Sequence, residues 1–278
     1  MASRISMKNL DRVYSESLVR EKGYIMPTHH CHNYYELFYV ERGACRFLIE
    51  NNMYDLHGGD FIFIPPQILH YTRYLFGTCK RVAVFFRLSD VREDVRELLP
   101  GGDSFFSEMH ILQVPELHQD EVNGLLAKMV REERIRDDRS SLLCSIMLQE
   151  LLVIGSRVCH FLHDAPADIH TTDRSILQAA RFITGHYMDP ITTADIAAEA
   201  GLSPNYLTRK FREATGLGLK EYLIFTRLQN AAMELISTDA SVTDIAQKCG
   251  FSDGNYFKDV FKKSYGMGPR AYRKDVQR

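Results

Sequence analysis

The sequence predicts an α+β protein: a small antiparallel β-barrel with following helices, then an all-α domain built from one two-helix unit used twice. Three observations carry this. From about Met26 to Leu88 short runs rich in aromatic and β-branched residues alternate with turn signals. From Glu116 to His163 the apolar spacing turns helical, and from Asp195 onward one sequence pattern recurs.

The chain has 278 residues, room for two domains at ~150 residues each. The N-terminus MASRISMKNL lacks the apolar run of a signal peptide, and no uninterrupted apolar stretch approaches the ~18 residues of a membrane span. A cytoplasmic protein with no membrane segment is expected. Cys31, Cys45, Cys79, Cys144, Cys159 and Cys249 are scattered without a C-x-x-C pair, which argues against a zinc knuckle or a secreted disulfide framework. From Thr171 onward there are 15 Lys and Arg against 12 Asp and Glu, with 19 against 24 before it. This mild basic bias permits nucleic-acid binding by the C-terminal part without demanding it.

In chain order, the strand candidates are YELFYVERG, ACRFLIE, DFIFIPP and KRVAVFFRL, separated by ERG, NN and HGGD. Strands so short and regularly punctuated fit an antiparallel barrel or sandwich. LLAKMVREERI and SLLCSIMLQELLVIGSRVCHFL then read as helices. The second, Ser141 to Phe161, is expected to cover a barrel face or to pair with another subunit in a homodimer. DAPADIHTTD is polar and interrupted by proline, like a linker. The expected division is therefore a sensor and dimerisation domain over 1–163, a linker over 164–172, and a helical domain over 173–278.

The stretch THHCHNYYE, Thr28 to Glu36, raises a chemical question. His30, His32 and Glu36 differ by even numbers, so in an extended strand they would share one face. Imidazole and carboxylate together suit zinc, iron, manganese or nickel, and the local pattern does not choose among them.

The recurrence is between DIAAEAGLSPNYLTRKF (Asp195 to Phe211) and DIAQKCGFSDGNYFKDVF (Asp244 to Phe261), with one extra residue in the second copy. In each, Thr192 with Asp195 or Ser241 with Asp244 predicts a capped helix start. Gly201 and Gly250 fall where that helix must end and turn, and a second helix is expected from Ser203 or Ser252. This is the helix-turn-helix arrangement, whose second helix enters the DNA major groove. Ile196, Ala197, Leu202, Leu207 and Phe211 are expected as the core of the first copy, and Ile245, Ala246, Phe251, Phe257 and Phe261 as that of the second. Leu219 to Ser237 between them reads as a linker helix with Tyr222, Leu223, Leu228, Ala231, Ala232, Leu235 and Ile236 apolar. Its ~28 Å length can hold two recognition helices near the ~34 Å repeat of successive major grooves.

DIAAEAGLSPNYLTRKFREATG, EYLIFTRLQNAAMELI and DIAQKCGFSDGNYFKDVFKKSYGMGPRAYRK together resemble the DNA-binding domain of the AraC/XylS family, over Asp173 to Lys274. The resemblance implies two helix-turn-helix subdomains on double-stranded promoter DNA and contacts with RNA polymerase. Exposed positions of the first recognition helix would be Asn205, Thr208, Arg209 and Arg212; Asn pairs well with adenine and Arg with guanine. The second would present Asn255, Lys258 and Asp259, with Lys262 and Lys263 one turn on. Asp259 stands where Arg209 stands in the first copy, and a carboxylate is repelled by phosphates. The first copy is therefore expected to supply more base-specific energy.

The N-terminal half is similar to the cupin barrels: Gly23, His30-Cys31-His32, Glu36 and Gly43 approximate one motif, and Gly59, Pro65 and His70 a second, with Gln67 where glycine is usual. In metal-binding cupins the matching positions, here His30, His32, Glu36 and His70, coordinate the metal. In sensor domains of the AraC type the barrel generally holds a small effector, often a sugar. An effector pocket with no required cofactor is the expectation, with a divalent metal or a purely structural cluster as alternatives. Tyr34 and Phe38, on the same strand face, would offer aromatic surface to a sugar ring. Arg42 resembles in position the arginine of a sugar-sensing pocket. The alternative of another class is a metal-dependent cupin oxygenase or isomerase carrying a DNA-binding domain. Whether Met1 to Lys22 forms an arm over the pocket is left open.

Overall fold

The structure, a computed structural model, describes residues 12–24, 30–49, 52–74, 77–161 and 174–276. Among the described residues nine strands come first: β1 (Tyr14–Arg20), β2 (Tyr35–Arg42), β3 (Ala44–Ile49), β4 (Asn52–His57), β5 (Asp60–Ile64), β6 (His70–Arg73), β7 (Cys79–Phe86), β8 (His110–Gln113) and, after the central helices, β9 (His160–Phe161). They form two sheets, one ordered β1-β7-β2-β5-β8-β9 and one ordered β4-β3-β6, antiparallel at every pairing. The four predicted strands are β2, β3, β5 and β7.

The side-chain alternation of β2, β5 and β7 divides the molecule into layers. Phe38, Val40, Ile62, Ile64, Ala83 and Phe85 turn into the barrel, where they meet Cys45, Phe47, Ile49 and Leu56 of the smaller sheet. Leu37, Tyr39, Phe61, Phe63, Val82, Val84 and Phe86 face the other way, into a second apolar layer. Both faces of the large sheet are thus buried, which explains why these strands read as nearly continuous apolar runs.

The second layer is closed by helices. After α1 (Glu93–Arg96) come α2 (Glu116–Ile135) and α3 (Ser140–Val158). Cys144, Met147, Leu148, Leu151 and Leu152 of α3 pack with Val122, Leu125, Leu126 and Met129 of α2 against the sheet. By length and composition alone α3 could cross a membrane; one of its faces covers the sheet, while Leu142, Leu143 and Ile146 stay exposed. The helix ends earlier than expected. Cys159 is already extended, and His160–Phe161 pairs with Leu112 and Gln113 as an edge strand.

The N-terminal segment, whose role the sequence left open, contributes a strand. Tyr14–Arg20, within the supposed arm, is an edge strand in full antiparallel register with β7. Met1 to Asp11 and the expected linker, Asp164 to Thr172, lie outside the described residues.

The C-terminal domain comprises α4 (Arg174–His186), α5 (Thr193–Glu199), α6 (Pro204–Thr215), α7 (Leu219–Ser237), α8 (Val242–Lys248), α9 (Gly254–Tyr265) and α10 (Pro269–Val276). Thr192 and Ser241 cap α5 and α8 as predicted, each accepting from the backbone N–H of the aspartate three residues on. Gly201 and Gly250 take φ of +66° and +82°. The α9 cap is Asp253, one residue later than Ser252; its carboxylate accepts from the backbone of Asn255 and Tyr256. That shift absorbs the extra residue of the second copy. The predicted repeat core is buried, apart from a half-buried Leu202, while Ile236 at the end of α7 is exposed.

This domain sits on the outer face of the smaller sheet. Leu48, Met53, Leu69 and Tyr71 of the barrel belong to the same apolar cluster as the core of both helix-turn-helix units.

Candidate functional site

In each helix-turn-helix unit the apolar stripe of the second helix is spent on the core, so its other face is polar and outward. Leu207 and Phe211 of α6, and Phe257 and Phe261 of α9, are fully buried. Asn205, Arg209, Asn255, Lys258, Asp259, Lys262 and Lys263 are exposed, and Thr208 is half-buried with its hydroxyl donating to the Pro204 carbonyl at 2.7 Å. Arg212 shares their face but is tethered: its guanidinium meets the Glu221 carboxylate at 3.1 Å, in a solvent-exposed pair. The sequence reading missed Tyr206 and Tyr256, which stand exposed at matching positions in the two helices. Arg209 and Lys210 each lie 5.5 Å from the Tyr206 ring. The signal was there in the shared Asn-Tyr of the two copies.

Inside the barrel His30, His32 and His70 come together, their ligating atoms within 4.8 Å of one another. The route differs from the straight strand expected. β2 begins only at Tyr35, and His30 reaches the site through an isolated antiparallel bridge to His70. Its N–H donates to the His70 carbonyl at 3.1 Å, and the His70 N–H returns the bond at 3.0 Å. Glu36 Oε2 lies 2.9 Å from His32 Nε2 and 3.4 Å from His70 Nε2. The His32 ring stacks on Tyr34 with centroids 4.3 Å apart, and Phe38 packs farther along the same interior.

The hydrogen-bond inventory of this cluster is unusual. His32 Nδ1 stands 2.8 Å from the Tyr34 carbonyl oxygen, and His70 Nδ1 stands 2.9 Å from that of Ile68. Both rings therefore face an oxygen acceptor at each nitrogen. A neutral imidazole has one donor and one acceptor, so in the neutral form one nitrogen of each ring would set a lone pair against an oxygen, whereas an imidazolium would donate at both. Burial lowers the His32 pKa below its ordinary value despite the opposing pull of Glu36. Burial also pushes Glu36 up, but the hydrogen bonds of His32 and His70 outweigh it and hold the carboxyl well below the usual range. A cation on the Nε2 side would resolve the conflict. With each Nδ1–H donating to a backbone carbonyl, both Nε2 lone pairs would be free to ligate. The three histidines thus fit a divalent metal, with the Glu36 carboxylate beside His32 and His70.

Arg42 is not brought to the site. A β-bulge between Val40 and Arg42 breaks the alternation, and the side chain is exposed. The arginine inside the barrel is Arg81 of β7, 7% exposed, ion-paired with Glu16 at 2.5 Å and 5.4 Å from the Phe38 ring centroid. Its Nε and Nη1 are buried without a hydrogen-bond partner. Parity could have found it, because Arg81 shares the inward face of Ala83 and Phe85.

A family model described as an AraC-like ligand binding domain matches residues 17–152, and one described as a helix-turn-helix domain matches residues 196–275. The HTH-type transcriptional activator RhaS of Klebsiella pneumoniae (strain 342) is 28% identical over 250 residues, covering 89% of this chain and 87% of that one. RhaS of Escherichia coli O81 (strain ED1a) is 27% identical over the same span. Among solved structures, ToxT of Vibrio cholerae O395 aligns over 95% of this chain and 98% of its own at 16% identity and a TM-score of 0.38. The DNA-binding domain of AdpA, in complex with a target DNA, covers 37% of this chain and 93% of its own at 27% identity and a TM-score of 0.36.

Proposed function

Because the chain belongs to the AraC/XylS family of transcriptional regulators, with an N-terminal sensor domain and a C-terminal helix-turn-helix domain, we propose that it is a cytoplasmic one-component regulator of promoters whose barrel binds a small, sugar-like effector. The observation that carries DNA recognition is the pair of recognition helices whose buried faces are apolar and whose outer faces carry Asn205, Arg209, Asn255 and the lysines. In this reading Asn205, Thr208 and Arg209 read bases, while Lys258, Lys262 and Lys263 hold phosphates around Asn255 and Asp259. Arg212 joins them by leaving Glu221, a low-cost release for an exposed pair. Two subunits bind together, and RNA polymerase is the protein partner at the promoter. The description of the relatives as activators supports activation as the sign of the effect.

The sugar reading is supported by aromatic surface beside polar groups inside one barrel: Tyr34 and Phe38 with the histidine cluster and the unpartnered N–H groups of Arg81. Arg81 here takes the part expected of Arg42. A thermal-shift screen of sugars and sugar acids against the wild-type chain tests the effector class. Stabilisation by one of them, lost in Arg81→Lys, is the expected outcome; no response across the screen would sink the sugar reading. On operator DNA, Arg209→Ala should cost ~1–3 kcal/mol and relax the preference at one base. A greater loss from Asn255→Ala than from Arg209→Ala would reverse the ordering of the two units.

A further inference from the structure

The starts of β3 and β7, which belong to different sheets, bring two thiols into contact. Cys79 opens β7 and Cys45 is the second residue of β3; both are fully buried, in one apolar cluster with Phe38 and Phe47. The backbones approach closely there. A Cβ added at Gly43, which leads into β3 with φ of +88°, would run into the Thr78 carbonyl and stand 3.0 Å from the Cys79 Cα. The two side chains touch, with the Cys45 S–H donating to the Cys79 sulfur. Arg81 follows two residues later on the same face of β7, its Nε and Nη1 buried without a partner.

These neighbours make the six cysteines unequal. The hydrogen bond from Cys45, helped by the Arg81 guanidinium, holds the Cys79 thiol below its ordinary pKa against the opposing effect of burial. Burial raises each of the other five, Cys144, Cys159 and Cys249 to about 11. The thiolate is the reactive form, so one thiol of the six is activated and a second already touches it. Arg42 and Thr78, close by in the chain, are exposed, which places the pair just beneath the surface at one end of the barrel.

We propose that Cys45 and Cys79 form a reversible dithiol–disulfide pair, oxidised by hydrogen peroxide, whose bond joins the two sheets of the barrel and restrains the end of α6. The Cys79 thiolate attacks one peroxide oxygen: the S–O bond forms, the O–O bond breaks, and the leaving hydroxide takes up the proton given up by Cys79 and departs as water. The Cys45 sulfur then attacks the Cys79 sulfenic acid. The S–S bond forms, the S–O bond breaks, and the second hydroxide leaves as water with the proton of Cys45. Two electrons pass from the two thiols to one peroxide. The link to α6 is the residue after Cys45. Arg46 points to the opposite face of β3, donates to the Ala214 carbonyl in the last turn of α6, and is held by Asp55 at 2.6 Å. The last carbonyls of a helix have no partner within it and carry the negative end of its dipole, so a guanidinium suits them. Tying β3 to β7 at Cys45 therefore steadies the strand that holds this recognition helix. The thiol chemistry stands independently of the regulator reading; only its consequence for transcription rests on that reading.

The test uses the full chain, reduced, desalted and treated with a several-fold molar excess of hydrogen peroxide. Alkylation under denaturing conditions followed by peptide mapping should find Cys45 linked to Cys79 in most chains, the other four thiols free, and the link reversed by dithiothreitol. In Cys45→Ser the same treatment should leave Cys79 as a sulfenic acid that dimedone traps. In Cys79→Ser no linked pair should form, and thiol oxidation should slow about tenfold or more. The wild-type map decides by itself if either variant fails to fold. Amide hydrogen exchange then reads the restraint without DNA. Peptides covering the last turn of α6 should exchange several-fold more slowly in the oxidised chain than in the reduced one. In Arg46→Ala the bond should still form and that difference should vanish. Oxidation scattered over the six cysteines, or no link under peroxide that oxidises free glutathione, would overturn the pair. A Cys45–Cys79 bond with unchanged exchange at α6 would overturn the restraint. Operator binding by the reduced chain, measured separately, tells a failed redox pair from a failed regulator reading.

Discussion

At Gly250 the chain turns between α8 and α9 with φ of +82°, and an added Cβ would meet the Tyr187 carbonyl at 2.6 Å, Arg227 Nε at 2.9 Å and the Met188 carbonyl at 2.9 Å. Gly201, its counterpart in the first copy, has φ of +66° with nothing within 4 Å of a Cβ. The two glycines therefore separate backbone strain from crowding. Gly201→Ala should lose about 1–3 kcal/mol, the cost of a left-handed non-glycine residue. Gly250→Ala should lose clearly more, because Arg227 would also have to release the Tyr187 carbonyl, to which it donates at 2.7 Å. Chemical denaturation of the two variants beside wild type checks this, and equal losses would show that the crowding is relieved at no cost.

At the scale of elements, α3 is apolar on more than one face. Beyond the residues it buries on the sheet, Leu142, Leu143 and Ile146 are 64%, 42% and 52% exposed near its start. Leu142 and Ile146 are one turn apart, so they form a stripe that a second α3 could cover isologously. Leu142→Asp/Ile146→Asp should yield a monomer in sedimentation, and should weaken operator binding tenfold or more through lost avidity. A wild-type monomer at micromolar concentration, with and without DNA, would sink the proposed homodimer. The long helices and the repeat were legible because 3.6-residue periodicity and capping are local signals. The short strands were not. β6, β8 and β9 have four, four and two residues, too few for a period, and they exist through their partners. The bulge that turns Arg42 outward and makes Arg81 the interior arginine is likewise a property of strand pairing.

At the scale of the molecule, the histidine motif was readable but its neighbours were not: nothing local in HHCH marks Cys31 as a contact to Ser264. The same holds for the barrel face on which the second domain rests, since Leu48 and Tyr71 read simply as strand residues. Their burial in one cluster with Ile176, Leu217 and Tyr265 has a thermodynamic consequence. Domains joined only by a linker melt separately; domains sharing an apolar core melt together when the interface is worth as much as their difference in stability. The wild-type chain should therefore give one calorimetric transition. Leu48→Ser/Tyr71→Ser removes apolar side chains from the barrel side of the shared cluster and leaves the interior of either domain intact. It should split the transition in two, with the helical domain melting near the temperature it shows when expressed alone from residue 174. Two transitions already present in wild type, unchanged by the double substitution, would mean that the domains are energetically independent and that the barrel reaches the DNA through its dimer contacts instead.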